Sequence, residues 1–286
     1  MPPIYFVKYW DKGSTAIGAD QMAAAIRDLG EPGVSAHSIY ARDLAEIRDA
    51  VLVFIKRADF KDLVGCRRRG NRCVLDTQDQ VVFRRWISHR FLYHGFIFRN
   101  RRQLRDFGSR RALCRAIYQH WDPKYRIHRA GDRTLRSAYL GTRRSLSLWG
   151  EIPGVEFVGP DDWFDRAPEF NAHLCLRETR REWLYKPNAK IATAAACEAV
   201  LLTTPDCSSV ELLGEDYPFY LDGLEATHGA DREASRASAV RAIERAAAEV
   251  GGPLWRDAVE RLRAIRADST IERTARRYLE MFRELP

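Results

Sequence analysis

The sequence predicts an α/β protein built of two βα-alternating halves of similar size, closed by a helical tail. Three observations predict it. Short continuous apolar runs, such as Val51-Leu52-Val53-Phe54-Ile55 and Gly95-Phe96-Ile97-Phe98, are of the kind that forms parallel strands covered on both faces. They alternate with segments of helical periodicity, and the alternation halts at His120-Trp121-Asp122-Pro123 before it restarts. From Arg232 onward the chain reads as helix alone.

In the first half, Ile4-Tyr5-Phe6-Val7 reads as a buried strand. The glycine-bearing stretch Asp11 to Asp20 reads as a loop, and Met22, Ala25, Ile26 and Leu29 mark a helix ending at Gly30. Strand, Gly-rich turn and helix open an α/β nucleotide-type unit, although Gly13 and Gly18 do not have dinucleotide-fingerprint spacing. Asp49 to Ile55 is a second strand, Phe60 to Arg69 a helix stopped by Gly70, and Arg72 to Leu75 a third strand. Asp76 and Asp79 follow that strand, where open α/β sheets gather ligands; an Asp there also suits a helix N-cap. Gly95 to Phe98 is another strand, Arg99 to Leu104 leads into a helix, and Ala116 to His120 reads as a strand. Asp122-Pro123 forces an extended chain, as at a domain hinge.

In the second half, Ser137 to Gly141, Val155 to Gly159, and Asn171 to Arg177 read as strands. Tyr185 to Cys197 reads as a loop with two lysines, Lys186 and Lys190, running into a small-residue helix. Ala199 to Leu202 is a buried strand, Ser208-Ser209-Val210-Glu211 a turn bearing a carboxylate, and Phe219 to Leu221 a last short strand. Helices follow over Arg232 to Val250 and Trp255 to Ala267, and a final one near Ser269, where Ser269 and Glu272 have capping-box spacing.

Composition bounds the function. The chain has 286 residues, 45% hydrophobic and 30% charged, which is globular and long enough for two domains. No apolar run approaches the roughly 20 residues of a membrane-spanning helix, and Met1 to Val7 enters a strand with no signal-peptide pattern. Six cysteines match neither a disulfide framework nor a zinc knuckle, so the expected compartment is the cytoplasm. The formal charge of +8 permits an anionic partner without choosing among nucleotide, nucleic acid and membrane surface. Arginine supplies most of it: there are seven lysines against forty arginines. Two of those lysines, Lys186 and Lys190, flank a Pro-Asn turn at a helix start, where free backbone N–H groups and the dipole favour a phosphate.

Four places together resemble a GT-B glycosyltransferase. Lys186-Pro187 with Lys190-Ile191-Ala192-Thr193-Ala194 is similar to the family's lysine before a small-residue helix near the donor. Val200-Leu201-Leu202 and Ser208 through Gly214 resemble the strand and Glu-bearing turn that follow. Tyr139-Leu140-Gly141-Thr142 resembles the opening of the donor domain, and Gly13-Ser14-Thr15 through Gly18 the loop over the reacting centre. The sequence departs from the pattern at Glu198 and Val200, where many members have Gly and Pro. Lys190 also lies near where the second glutamate of many retaining members would fall, which leaves the stereochemical outcome open.

The resemblance implies two Rossmann-like βαβ domains facing each other across a cleft: an acceptor-side domain over 1–125 and a donor domain over 126–252, with C-terminal helices over 253–286. It implies a metal-independent glycosyltransferase with no cofactor, taking a UDP- or GDP-sugar as donor substrate. By resemblance, Arg177, Lys186 and Lys190, with Arg143 beyond Gly141, neutralise the departing diphosphate. Ser209 and Glu211 face the donor, Glu211 at its ribose, and Gly13, Ser14 and Thr15 approach the phosphates or sugar. Asp76, Asp79 and His120 are the candidate general bases if the reaction inverts. The blocks Arg67 to Arg69, Arg84-Arg85, Arg99 to Arg105 and Arg110-Arg111, interleaved with Trp86, His89, Phe91, Tyr93 and His94, suit an anionic acceptor: modified nucleic acid, a lipid-linked phosphate or a glycan. An arginine-rich solvated surface is the plain alternative. Rival readings are a nucleic-acid-binding protein on a degenerate α/β scaffold and a nucleotide-sugar epimerase.

Overall fold

The computed structural model describes residues 1–11, 13–79, 87–131, 133–142, 152–177, 180–222 and 232–286. The chain divides into two compact units: Met1–Gln119 with Tyr185–Pro187 and Thr270–Pro286, and His120–Leu184 with Asn188–Ser269. The helices over 253–286 are thus shared, Pro253–Asp268 going with the second unit and Ile271–Arg283 with the first.

The first unit contains β1 (Ile4–Lys8), α1 (Gly13–Thr15), α2 (Met22–Asp28), β2 (Ala36–Tyr40), β3 (Val51–Ile55), α3 (Phe60–Arg68), β4 (Arg72–Asp76), β5 (Gly95–Phe98), α4 (Arg101–Phe107) and β6 (Leu113–Ala116). Its strands form one parallel sheet in the order β2-β1-β3-β4-β5-β6. All five β3 side chains are buried, as a continuous apolar run requires. Val51, Val53 and Ile55 face one side with Phe6, α2 and the last helix, whereas Leu52 and Phe54 face the other with α3. The last helix contributes Tyr278, Leu279, Met281 and Phe282 to the first face. Burial of such a side chain is worth ~1.5–3 kcal/mol.

The second unit contains β7 (Ser137–Leu140), β8 (Val155–Val158), α5 (Trp163–Arg166), β9 (Ala172–Cys175), α6 (Arg180–Tyr185, whose last residue groups with the first unit), α7 (Ala189–Cys197), β10 (Val200–Thr203), α8 (Cys207–Leu213), α9 (Arg232–Glu249) and α10 (Pro253–Asp268). The chain ends with α11 (Ile271–Arg283). The four strands form a parallel sheet in the order β10-β9-β7-β8. Ile191, Ala194 and Ala195 of α7 pack with β9, β10 and α10 into one core, their small size admitting close approach.

Several elements differ from the sequence expectation. The stretch 13–21 is helical, α1 continuing through a π-helical turn over Ala16–Gln21 into α2. Gly18 permits this: a Cβ there would come within 3.1 Å of Gln78 Nε2 and 3.4 Å of Ile55. β2 was not expected, because the polar pair His37-Ser38 interrupts any apolar run in this edge strand. The strand expected over Ala116 to His120 is instead Leu113–Ala116, since its partner β5 ends at Phe98 opposite Ala116. The turn at Ser208 to Glu211 is the helix α8, and the strand at Phe219 to Leu221 is a single bridge from Thr203 to Tyr220. Thr270, not Ser269, caps the last helix, accepting from Arg273 N. Glu198, where glycine was expected, takes the left-handed conformation at φ 53° to end α7. Arg263 Nε and Arg266 Nη1 hold its carboxylate at 2.7 and 3.1 Å.

Candidate active site

In a doubly wound sheet the ligand crevice lies outside the carboxyl ends of the strands between which the strand order reverses. In the second unit the chain goes from β7 to β8 on one side and then to β9 on the other. The switch point therefore falls between β7 and β9. Gly141 follows β7, Arg177 follows β9, and the start of α7 lies on the same edge.

Lys190, in the first turn of α7, reaches the end of β7. Its Nζ donates to Leu140 O and stands 4.1 Å from the centroid of the Tyr139 ring. Gly141 belongs to the same cluster, and only glycine fits: a Cβ there would lie 2.2 Å from Tyr139 Cε1. An ammonium over an aromatic face beside bare backbone is a compact cationic surface at the switch point.

Arg177 is buried, and its Nε donates to Asp206 Oδ2 at 2.8 Å. Burial opposes the charged form, but Cys175 and Asp206 outweigh it and hold the guanidinium above its ordinary pKa. Asp206 Oδ1 also accepts from Ser209 N at 2.8 Å, capping α8, so one carboxylate sets both the arginine and the helix. Trp183 Nε1 donates to Arg177 O at 3.3 Å and pins the backbone there. His173, buried on β9, is held neutral by burial, which pulls its pKa down to about 4.

The first unit has its own switch point, between β1 and β3. Gly13 to Thr15 begin the helix just past β1, and a Cβ on Gly13 would meet nothing within 4 Å. Thr15 is buried, its hydroxyl donating to Trp10 O. Lys8 Nζ is held by Asp11 and Asp20, each at 3.0 Å. Past β3, Lys56 adopts φ 72° and its Nζ lies 2.9 Å from Asp79 Oδ1. Gln78, past β4, is also left-handed, at φ 48°. Non-glycine residues persist in this region only where the surroundings over-determine them, and they concentrate at functional sites.

Asp76 corrects the sequence expectation. Its carboxylate is fully buried and takes bonds from Arg99, from Tyr278 OH at 2.8 Å and from Gln78 Nε2 at 3.0 Å. Arg99, expected in a surface block, is buried with it. Such a group ties α11 to β4 and β5 and has no access to a substrate proton. His120 is buried and does not end a strand, since β6 stops at Ala116.

The structure brings Gly141, Lys190 and Arg177 to one sheet edge. Lys186 groups with the first unit, its carbonyl accepting from Asn100 Nδ2 at 3.4 Å. Glu211 is half-buried on α8, whereas Ser209 is fully buried, with its Oγ 3.4 Å from Thr203 Oγ1. Arg143, Arg84, Arg85, Trp86 and Lys12 lie outside the described residues, as does the side chain of Ser14. Sequence reasoning missed Tyr139 as a partner of Lys190, and it missed Asp206. An Asp after Pro205 and before a helical segment is a readable N-cap signal. Among the described residues no group of three His, Cys, Asp or Glu side chains could hold a metal ion, and no helix is long and apolar enough to cross a membrane.

No family model matches the sequence, and no curated protein matches it. Solved structures do match the fold. HepE of Anabaena in complex with UDP-glucose aligns with TM-score 0.65 at 11% identity, covering 100% of both chains. AviGT4, a glycosyltransferase involved in avilamycin A biosynthesis, aligns with TM-score 0.58 at 12% identity, covering 100% of this chain and 98% of that one. T4 phage BGT in complex with its UDP-glucose substrate aligns with TM-score 0.56 at 10% identity, covering 98% and 99%. With two parallel α/β sheets and full-length likeness to these structures, the chain has the GT-B fold.

Proposed function

We propose that the chain is a glycosyltransferase that moves a sugar from a nucleotide-diphosphate sugar, a UDP- or GDP-sugar, to an acceptor hydroxyl. The observation that carries this reading is the meeting of Lys190, Tyr139 and Gly141 at the β7 end of the switch point. The fold, and the UDP-glucose complexes of similar structures, support it.

In this reaction the bond from the anomeric carbon to the diphosphate oxygen breaks and a bond to the acceptor oxygen forms. The leaving group gathers negative charge and the acceptor hydroxyl gives up its proton. Lys190 and Arg177, with Lys186 and Arg143, meet that charge. Fixed cations aimed where charge develops stabilise the transition state without reorganising, the service a metal ion renders elsewhere. Gly13, Ser14 and Thr15 offer backbone N–H groups to the phosphates or sugar, and Glu211 accepts from the ribose hydroxyls. Ser209 is buried and plays a structural part. In an inverting reaction Asp79, beside Lys56, or His120 takes the proton. The acceptor is anionic and the compartment the cytoplasm, readings supported by the arginine excess and by six free cysteines.

A thermal-shift series with UDP, GDP and their glucose conjugates tests the proposal. A ligand at about 100 times its Kd stabilises by ~2.7 kcal/mol. Absence of a shift with every nucleoside diphosphate overturns the reading. Isomerisation of the donor sugar without acceptor identifies an epimerase instead.

A further inference from the structure

We infer that the amino edge of the six-stranded sheet is a docking surface for single-stranded nucleic acid. Two of the arginine blocks of the first half lie away from the carboxyl ends of the strands, where ligands meet such a sheet, whereas Arg99 to Arg105 follows the carboxyl end of β5. Arg67 and Arg68 end α3, Arg72 opens β4, and Arg110 and Arg111 precede β6. All five therefore lie at the amino ends of parallel strands. Arg67 Nη1 donates to Leu92 O at 3.1 Å and lies 3.1 Å from His94 Nε2. His94 in turn donates its backbone N–H to Cys73 O and accepts from Leu113 N, which ties together the amino ends of β4, β5 and β6. With neighbouring strands ~4.8 Å apart, the row spans on the order of 10 Å along the edge.

Arg67, Arg68, Arg110 and Arg111 are exposed and Arg72 is half-buried. Among the described residues none of the five pairs with a carboxylate. Of the neighbouring acids, Asp106 is engaged by Arg102 and Glu284 by Arg115, and exposed Asp49 stands at the amino end of β3. Burial and the positive charges of Arg67 and Arg72 hold the His94 imidazole below its ordinary pKa, a sign of how closely the cations crowd it. Unpaired guanidinium groups on one edge repel one another, and a polyphosphate relieves that repulsion while releasing its own counterions. The planar guanidinium fork matches a phosphate with two parallel N–H donors.

An aromatic ring decides the kind of polyanion. Phe91 is 67% exposed, beside Arg90 in the 3-10 turn Ile87–Leu92 that leads into β5. A bare aromatic among cations is a stacking platform for an unpaired base. A lipid surface calls for a long apolar helix face, which a single phenylalanine does not supply. The amino edge lies at the opposite end of the strands from the carboxyl edge, and docking there needs no nucleotide-sugar. The inference goes beyond the transferase reading and stands without it.

Fluorescence anisotropy of the full chain with a labelled mixed-sequence DNA strand of about 16 nucleotides tests it. Binding is expected to weaken with salt, its logarithmic slope near −0.7 per neutralised phosphate. The triple variant Arg68→Ala/Arg110→Ala/Arg111→Ala should lower the slope by about 2 and the affinity at least ~10-fold. Phe91→Ala should cost at least ~5-fold with the slope unchanged. Arg126→Ala/Arg236→Ala/Arg241→Ala, an equal charge loss in the second unit, should leave both unchanged. No binding of the strand, or an equal loss in that control, overturns the proposal. Binding of phosphatidylserine vesicles in place of the strand overturns it in favour of a lipid surface. Melting curves with UDP are read separately and report only on the donor site.

Discussion

Lys190 holds its ammonium 4.1 Å from the centroid of the Tyr139 ring while its Nζ donates to the neighbouring Leu140 carbonyl. A side chain from the first turn of α7 thereby reaches the end of β7, and the cation comes to rest beside the residue where only glycine fits. Truncating Lys190 removes a charge from the site but little from the core. Lys190→Ala should therefore weaken UDP binding by ~10–150-fold, the equivalent of one charge-assisted hydrogen bond of ~1.5–3 kcal/mol. Titration calorimetry reads this directly. Unchanged UDP affinity in a folded variant would refute the placement of the donor.

Gly141 tests the packing of the same corner. A methyl group there meets the Tyr139 ring at 2.2 Å, so Gly141→Ala should lower unfolding stability by ~1–3 kcal/mol. In a Tyr139→Ala background the clash has no partner and the cost should shrink. Denaturant melts of the single and double variants supply the cycle, and strictly additive losses would exonerate the ring.

Asp206 separates two contributions of one carboxylate. Asp206→Asn keeps a side-chain acceptor for Ser209 N but removes the Asp206 charge from the buried Arg177, whereas Asp206→Ala loses both. Breaking a buried pair costs ~3–5 kcal/mol and a lost N-cap adds ~1. Stability should fall from wild type to Asn to Ala. Equal values for the two variants would show that the cap contributes nothing.

His173 predicts a pH dependence. Its folded pKa lies near 4, below the ordinary 6.5, chiefly because burial disfavours the charged ring. Between those values the unfolded chain binds the proton and the folded one does not. Stability is therefore intact above about pH 6.5 and is lost as pH falls toward 4, by about 3 kcal/mol over the window. Urea melts at pH 7 and pH 5 should show a drop in wild type that is smaller in His173→Leu. The same drop in both would assign the dependence to other groups.

Much of the architecture was readable because buried parallel strands leave continuous apolar runs. β3, β5 and β10 are such runs, and each forms where its composition indicates. Edge elements were not readable. β2 carries the polar pair His37-Ser38, and the four residues of β6 include Arg115, so neither leaves an apolar run. The helical stretch over 13–21 was hidden by glycine, whose service at Gly18 is clearance from Ile55 and Gln78, a contact from distant sequence.

The candidate site divides along the same line. Lys190 and Gly141 could be singled out from local pattern, a lysine at a small-residue helix start and a glycine after a strand. Their meeting at Tyr139 could not, because the residues lie some fifty positions apart and only the sheet order β10-β9-β7-β8 brings them together. Asp76 shows the converse. A carboxylate at a strand end reads locally as a base, yet Arg99 and Tyr278, the latter from the last helix, close over it and make it an anchor. By itself the sequence determined the two α/β halves, their principal strands and the cationic character of the α7 start, since these follow from hydrophobic period and local charge. The tertiary structure alone decided which charges are neutralised and which stay bare: Arg177 against Asp206, Asp76 against Arg99, and the arginines at the amino edge with no carboxylate among the described residues. Pairing depends on distances across the fold, and no local pattern encodes those.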